Sequence, residues 1–196
     1  MKTLFYILLS LLLTHSINSK GVNYTKLQNG GYVNILGSTN INKFTFGYTI
    51  PSDKDLNFHI NYVDENKISF VNTLITIPIQ EFDSGNSIMN EDFYELLVRE
   101  NKSEISIGID TLNLLESIDQ DTHTNALAGV TISLAGVTRS YKTRLFFEQD
   151  EYGNMRVKGT QMIDIGEFGI TPPEKFFGLI KTATDVTVEF QFILIF

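Results

Sequence analysis

The sequence has 196 residues, of which 42% are hydrophobic and 19% charged, and its formal net charge is −8. This length and apolar content predict one packed domain, and the negative charge disfavours binding to nucleic-acid phosphates or a broad electrostatic attachment to anionic lipid headgroups. The chain has no cysteine, which excludes disulfides, thiolate metal sites and a lipidated cysteine after a signal peptide.

The N-terminal segment has the layout of a secretory signal peptide. Lys2 precedes an apolar run over residues 4–13, and a short tail of mostly small and polar residues follows. A transmembrane helix needs about 20 apolar residues, and this run is much shorter. We therefore expect a signal peptide over residues 1–19, cleaved after Ser16 or Ser19, and a mature domain over residues 20–196 in the periplasm or outside the cell.

Alternation of apolar and polar residues predicts a β-strand over residues 43–50. Its inner face carries Phe44, Phe46, Tyr48 and Ile50. Two further strands are predicted over residues 68–70 and 75–79, with a bulge or twist near Asn72–Thr73 because the parity of the alternation changes there. Pro78 has no N–H to donate, which predicts a sheet edge or a bulge at that position.

One segment, from Ser87 to Arg99, is predicted to form a helix. Its apolar residues at helical spacing are Ile88, Phe93, Leu96 and Leu97. Ser87 is the expected N-cap. The preceding residues 83–86 have the composition of a turn from a strand into this helix, and they lack the ligands of a calcium loop or the setting of a hydrolase nucleophile.

Strands dominate the second half of the chain as well. Alternation occurs over residues 105–109, 128–134, 141–147 and 186–194. Residues 150–154 contain Gly and Asn, which tolerate positive φ, and predict a hairpin turn.

Many strands joined by turns, with one inserted helix, predict an all-β fold in which an antiparallel sheet curls into a barrel of roughly eight strands. Closure removes the exposed edges through which sheets aggregate. Alternation alone does not distinguish this barrel from a β-sandwich.

Residues that could support catalysis or metal binding are sparse. The mature segment has two histidines, His59 and His123, and neither lies in a metal or nucleophile motif. Residues 119–123, Asp-Gln-Asp-Thr-His, could ligate a cation if the loop folded back, but a solvated loop between strands is the simpler interpretation. We therefore predict no enzyme activity, no catalytic residues and no metal site.

Rings are abundant, with 15 Phe and 8 Tyr, and many fall on the predicted inner faces. A small barrel is either filled by its own side chains or holds one ligand, and the pattern alone leaves both alternatives open.

Several blocks in order resemble the YceI-like family. Residues 132–139, Ile-Ser-Leu-Ala-Gly-Val-Thr-Arg, are similar to its Leu-Thr-Ile-His-Gly-Val-Thr-Lys signature, and residues 163–170 are similar to its Asp-Arg-x-Asp-Phe-Gly-Ile motif. The segments 75–86 and 185–190 resemble the family's strand before a Ser-Gly-Asn turn and its closing strand.

The resemblance implies a lipocalin-like barrel whose apolar tunnel holds a long isoprenoid, such as a quinone or polyprenol, or a fatty-acid-like ligand, with no other cofactor. The inward residues expected to line it are Phe44, Phe46, Tyr48, Val130, Ile132, Tyr141, Leu145, Val188, Phe190 and Phe192. The expected partner is thus a hydrophobic small molecule. A secreted interaction or structural module with a filled core is the alternative, and a transient membrane or protein partner or a dimer is compatible with either.

The sequence departs from the family pattern at two positions. Ala135 stands where the signature usually has His, and Ile165 where the later motif usually has Arg. Two polar side chains that could meet a headgroup or a quinone ring are therefore missing.

Overall fold

The structure is a computed structural model that describes residues 23–27, 30–51, 54–63, 67–71, 73–98, 102–115, 123–175 and 180–195. The predicted signal peptide lies outside these residues. So does the predicted loop at residues 119–123, except for the backbone of His123.

The described residues form thirteen strands and one α-helix. The strands are β1 (Asn23–Leu27), β2 (Tyr32–Ser38), β3 (Lys43–Thr49), β4 (Lys54–Val63), β5 (Lys67–Val71), β6 (Leu74–Pro78), β7 (Glu104–Leu115), β8 (His123–Leu134), β9 (Val137–Gln149), β10 (Met155–Asp164), β11 (Glu174–Lys175), β12 (Ile180–Lys181) and β13 (Asp185–Ile195). The helix is α1 (Ser87–Leu97), and two 3-10 turns span Ile79–Glu81 and Ile165–Phe168.

Eleven strands form one antiparallel sheet in the order β1-β4-β5-β7-β8-β9-β10-β13-β2-β3, with β6 also paired to β7. Strand β1 pairs with β4 on one side and with the end of β13 on the other. The pairings therefore return to their start, and eight strands form a ring at one end of the molecule, here called the ring end.

At the opposite end, here called the split end, β3 and β6 are edge strands, and the described residues contain no ladder between them. A bridge between Gly47 and Asp83 spans the gap, with both N···O distances 2.8 Å. The predicted all-β, barrel-like fold with one inserted helix is confirmed. The sheet is strongly curled, continuously paired round the ring end and open at the split end.

Strands β5 and β6 both lie along β7, one after the other. Strand β5 ends at Val71 and β6 begins at Leu74. The bulge predicted near Asn72–Thr73 includes Asn72, which lies outside the described residues. Pro78 ends β6 at the edge, as predicted. A bulge in β7 between Ile109 and Thr111, which was not predicted, keeps apolar side chains inward on both sides of the irregularity.

Helix α1 begins one position away from the predicted cap. The side chain of Asn86, rather than that of Ser87, accepts hydrogen bonds from the N–H groups of Ile88 (3.0 Å) and Met89 (3.2 Å). The prediction of Ser87 as N-cap is wrong because Ser87 is already the first helical residue. Ile88 is 68% exposed and lies off the packed stripe, on which Phe93 and Leu97 are buried.

A two-residue turn joins β8 to β9. Ala135 and Gly136 both have positive φ, 51° and 82°. Positive φ at both central residues matches the twist of an antiparallel hairpin. Ala135, the position where the YceI-like signature usually has His, therefore lies in a hairpin turn.

Candidate functional site

An apolar cavity of about 360 Å³ opens at the split end, inside the curl of the sheet. This volume lies in the usual range for small-molecule sites. Its walls come from the inner faces of β2, β3, β6, β7, β8, β10 and β13, and α1 lies across one side. The cavity thus lies where the sheet is open between β3 and β6, and α1 covers one side of it.

Of the 27 described residues that line the cavity, 22 have apolar side chains or are proline. The polar ones are Thr39, Asn42, Lys43, Asp92 and Thr182. Thr39 and Asn42 lie in the turn between β2 and β3, Lys43 is the first residue of β3, and Asn42 and Lys43 are exposed. The site therefore combines apolar walls with a polar rim, which is the arrangement that suits an amphiphile.

The rim is held by hydrogen bonds between two chain segments distant in sequence. The N–H of Asn40 donates to the carbonyl of Lys181 (3.0 Å), and the Lys181 N–H donates to Oδ1 of Asn40 (3.1 Å). The N–H of Ala183 donates to the carbonyl of Ser38 (2.9 Å). These bonds fix the β2–β3 turn against the segment that enters β13.

Three rings attach α1 to the sheet. Phe93 stacks on Phe46 with ring centroids 4.1 Å apart and meets Phe82 edge-on at 5.8 Å. All three rings line the cavity and are nearly buried. Helix α1 thus forms part of the cavity wall, and its removal would expose the interior.

The 3-10 turn at Ile165–Phe168 supplies another part of the wall. The side chain of Asp164 accepts a hydrogen bond from the Gly166 N–H at 2.8 Å, and Ile165 and Phe168 point into the cavity lining. The hydroxyl of Tyr141 donates to Oε2 of Glu167 at 2.9 Å, which ties β9 to the turn. Burial and the neighbouring Glu167 carboxylate raise the pKa of Tyr141 to about 12, so this phenol is neutral at ordinary pH.

The ten predicted lipid-contacting residues all lie on the inner face of the sheet but at different depths. Four of them line the cavity: Phe44, Phe46, Ile132 and Val188. Six lie nearer the ring end, outside the lining: Tyr48, Val130, Tyr141, Leu145, Phe190 and Phe192. Alternation predicts which face of the sheet a residue lies on, but it does not predict how far along the barrel axis the residue lies. As contacts to a ligand, all ten stay predictions.

The sequence did not indicate that α1 contributes to the cavity. Met89, Phe93 and Leu96 line it, and their spacing of three and four residues was the available signal. Ile165 also lies in the wall. The position where the YceI-like motif usually has Arg is therefore an apolar part of this cavity.

The turn that leads into α1 is organised by Asn90. Its amide donates to Oδ1 of Asp83 (2.7 Å), and its Oδ1 accepts from the N–H (2.9 Å) and the hydroxyl (2.7 Å) of Ser84. The Asn90 side chain and the N–H of Gly85 hold the pKa of the Asp83 carboxyl below its usual value. The same Asp83 backbone bridges to Gly47, so this turn joins the two edges of the split end.

We expect Asp83→Asn to make the stability of the protein less dependent on acid pH. A carboxyl whose folded pKa is lowered stabilises the fold above its unfolded pKa of about 4, and this contribution is lost as pH falls through the folded value. Urea unfolding between pH 6 and pH 2 should therefore show a smaller acid loss for the variant than for the wild type. Glu91→Gln, on an exposed carboxylate of α1, is the control; equal pH slopes for Asp83→Asn and the wild type would contradict the assignment.

Within the described part of the chain, no group of three or more His, Asp or Glu side chains is placed to hold a metal ion. No helix in these same residues is long and apolar enough to cross a membrane. Lys43 and Asp92 are the ionisable side chains among the described cavity-lining residues. The described lining is therefore mostly apolar, with these two ionisable side chains.

No protein-family sequence model and no curated protein matches the chain. A polyisoprenoid binding domain from Saccharophagus degradans, implicated in plant cell wall breakdown, is similar in structure, with a TM-score of 0.59 and 12% identity over 89% of this chain and 98% of that one. BcnA from Burkholderia cenocepacia has a TM-score of 0.57 and 12% identity, over 83% of this chain and 95% of its own. This chain therefore has the fold of these two proteins, which confirms the fold that the resemblance to the YceI-like family implied.

Proposed function

We propose that this protein binds a lipid-like amphiphile in the split-end cavity and carries or stores it without chemical change. The observation that supports this most directly is the cavity itself, about 360 Å³ in volume, with apolar walls and polar side chains at the rim. The solved domain from Saccharophagus degradans, which has the same fold, is described as binding polyisoprenoids.

Apolar burial supplies the binding free energy in this proposal. Each methylene transferred from water is worth about 0.8 kcal/mol, so a chain of about ten methylenes gains about 8 kcal/mol before the cost of association. A headgroup at the rim would stay near Asn42, Lys43 and water. This arrangement needs no charged partner deep in the cavity.

The proposal includes export. The N-terminal segment with Lys2 and the apolar run over residues 4–13 directs the chain across a membrane, after which the mature domain works in the periplasm or outside the cell. A carrier is useful there because a long-chain amphiphile is poorly soluble in the aqueous space between membranes.

The test is to express the full chain in a bacterium with a periplasm, purify it from the periplasmic and culture fractions, and compare native and denatured masses. We expect a mature polypeptide that begins after Ser16 or Ser19 and a native mass larger by one amphiphile, which is then extracted and identified. A native mass equal to that of the bare polypeptide, together with no uptake of added quinone, polyprenol or fatty acid, would contradict the proposal and favour the module with a filled core.

A further inference from the structure

The cavity ends at a similar depth on β3, β8 and β13, whereas on β2 it reaches Val33, which is opposite Phe190 and Tyr48 in the ladders. On β13, Val188 lines the cavity, but the next inward residue, Phe190, does not. On β8 and β3 the boundary falls between Ile132 and Val130 and between Phe46 and Tyr48. Val130 is 7% exposed and Tyr48 is 4% exposed, so both side chains are packed where the cavity ends.

Phe190 is the central group of this floor. A Cβ placed on Gly159 would lie 2.3 Å from Cζ of Phe190 and 2.9 Å from Cδ2 of Leu145. The ring of Phe190 therefore lies directly over the backbone of β10, in space that the missing side chain of Gly159 leaves free. Phe192 packs against it with ring centroids 5.3 Å apart and continues the filled region toward the ring end.

Two polar side chains that are hydrogen-bonded to each other lie near the Phe190 ring. Gln161 is opposite Val188 in the ladder between β10 and β13. Its Oε1 accepts a hydrogen bond from the hydroxyl of Thr143 at 2.8 Å, and Thr143 is 2% exposed. An apolar chain that extended past Val188 would have to displace the Phe190 ring or break this buried hydrogen bond.

The volume above the floor sets the length of chain that fits. A methylene takes up about as much space as a water molecule in the liquid, about 30 Å³. The cavity of about 360 Å³ therefore holds about a dozen carbon atoms of a single chain.

We propose that the Phe190 floor limits this protein to single-chain amphiphiles with about a dozen buried carbon atoms, either acyl or isoprenoid. The inference rests on the proposed function and makes it more specific. Longer chains bind with the excess outside the rim, where it contributes no further apolar burial. The chain length, rather than the headgroup, is then the property that the fold selects.

The test measures dissociation constants for two series of probes: linear alcohols from C8 to C20, and geraniol, farnesol and geranylgeraniol. For the wild type we expect affinity to rise by about fourfold per methylene up to about C12 in the alcohols and then to level off, and we expect little further gain from farnesol to geranylgeraniol. If affinity continues to rise to C20, the floor does not limit the ligand and the inference is wrong. If no probe of any length binds, the proposed function fails, and the inference with it.

Phe190→Ala should increase the chain length at which affinity levels off, here called the break, by two or more carbon atoms, because the ring no longer closes the cavity. Phe190→Leu changes the packing less and should move the break by a smaller amount in the same direction. The leucine variant replaces the alanine variant if the latter does not fold. The matched control is Phe146→Ala, which removes a ring of equal size from the outer face of β9, where it is 48% exposed. An unchanged break in both folded Phe190 variants would overturn the assignment of the floor.

Discussion

Val188→Trp is expected to lower the affinity for an amphiphile by roughly 50- to 200-fold with little change in stability. Val188 lines the cavity and is only partly buried, so a larger side chain can extend into empty space. An indole there displaces about three to four methylenes of ligand, and each costs about 0.8 kcal/mol of apolar burial. Because the new side chain fills a void, the usual cost of overpacking is small.

The measurement is a titration with dodecanol or farnesol, alongside thermal unfolding of the same samples. Met162→Trp is the matched control, because Met162 is 65% exposed on the outer face of β10 and gains the same indole away from the cavity. If both variants bind like the wild type, the ligand does not occupy the split-end cavity. If both lose binding equally, the loss does not depend on the cavity.

Phe93→Ala is expected to cause the largest loss of stability, about 3–5 kcal/mol in the free energy of unfolding. Phe93 is 9% exposed, stacks on Phe46 at 4.1 Å and meets Phe82 edge-on. The aromatic geometry adds to the burial of the ring. A loss of this size is a large fraction of the 5–15 kcal/mol by which domains are usually stable.

Urea unfolding followed by far-UV circular dichroism measures this effect. Tyr94→Ala is the control, since Tyr94 is the next residue on α1, is also aromatic and is 37% exposed. We expect Tyr94→Ala to cost far less than Phe93→Ala. Equal losses would mean that the helix is stabilised by its own propensity rather than by the rings that attach it to the sheet.

The direction of side chains along the strands was predictable from sequence because the period of a strand is two. Ala128, Ile132 and Leu145 face the interior as predicted and are 0%, 8% and 2% exposed. In β7 the parity changes at the bulge between Ile109 and Thr111, and the two consecutive polar residues Asp110 and Thr111 were the sequence signal for it.

The helix was also predictable, but not its packing. The spacing of apolar residues located α1, whereas Ile88 matched the helical pattern and is 68% exposed. The buried stripe of a helix can be narrower than its set of apolar residues. The packing of the neighbouring strands determines which of these residues are buried. The contact of Phe93 with Phe46 joins residues 47 positions apart, which no local pattern records.

The sequence by itself determined the strand-rich class, the single helix, the absence of cysteine chemistry and the inner face of most strands, because each follows from local periodicity or composition. Only the tertiary structure decided that the cavity lies at the split end and that on β13 it does not extend past Val188. Phe190 and Val188 are both apolar and share one face of β13, yet one closes the cavity and the other lines it. The difference arises from the adjacent strand β10, where Gly159 lies opposite Phe190 and leaves room for its ring, whereas Gln161 lies opposite Val188. That pairing joins residues distant in sequence, so it exists only once the two strands have come together.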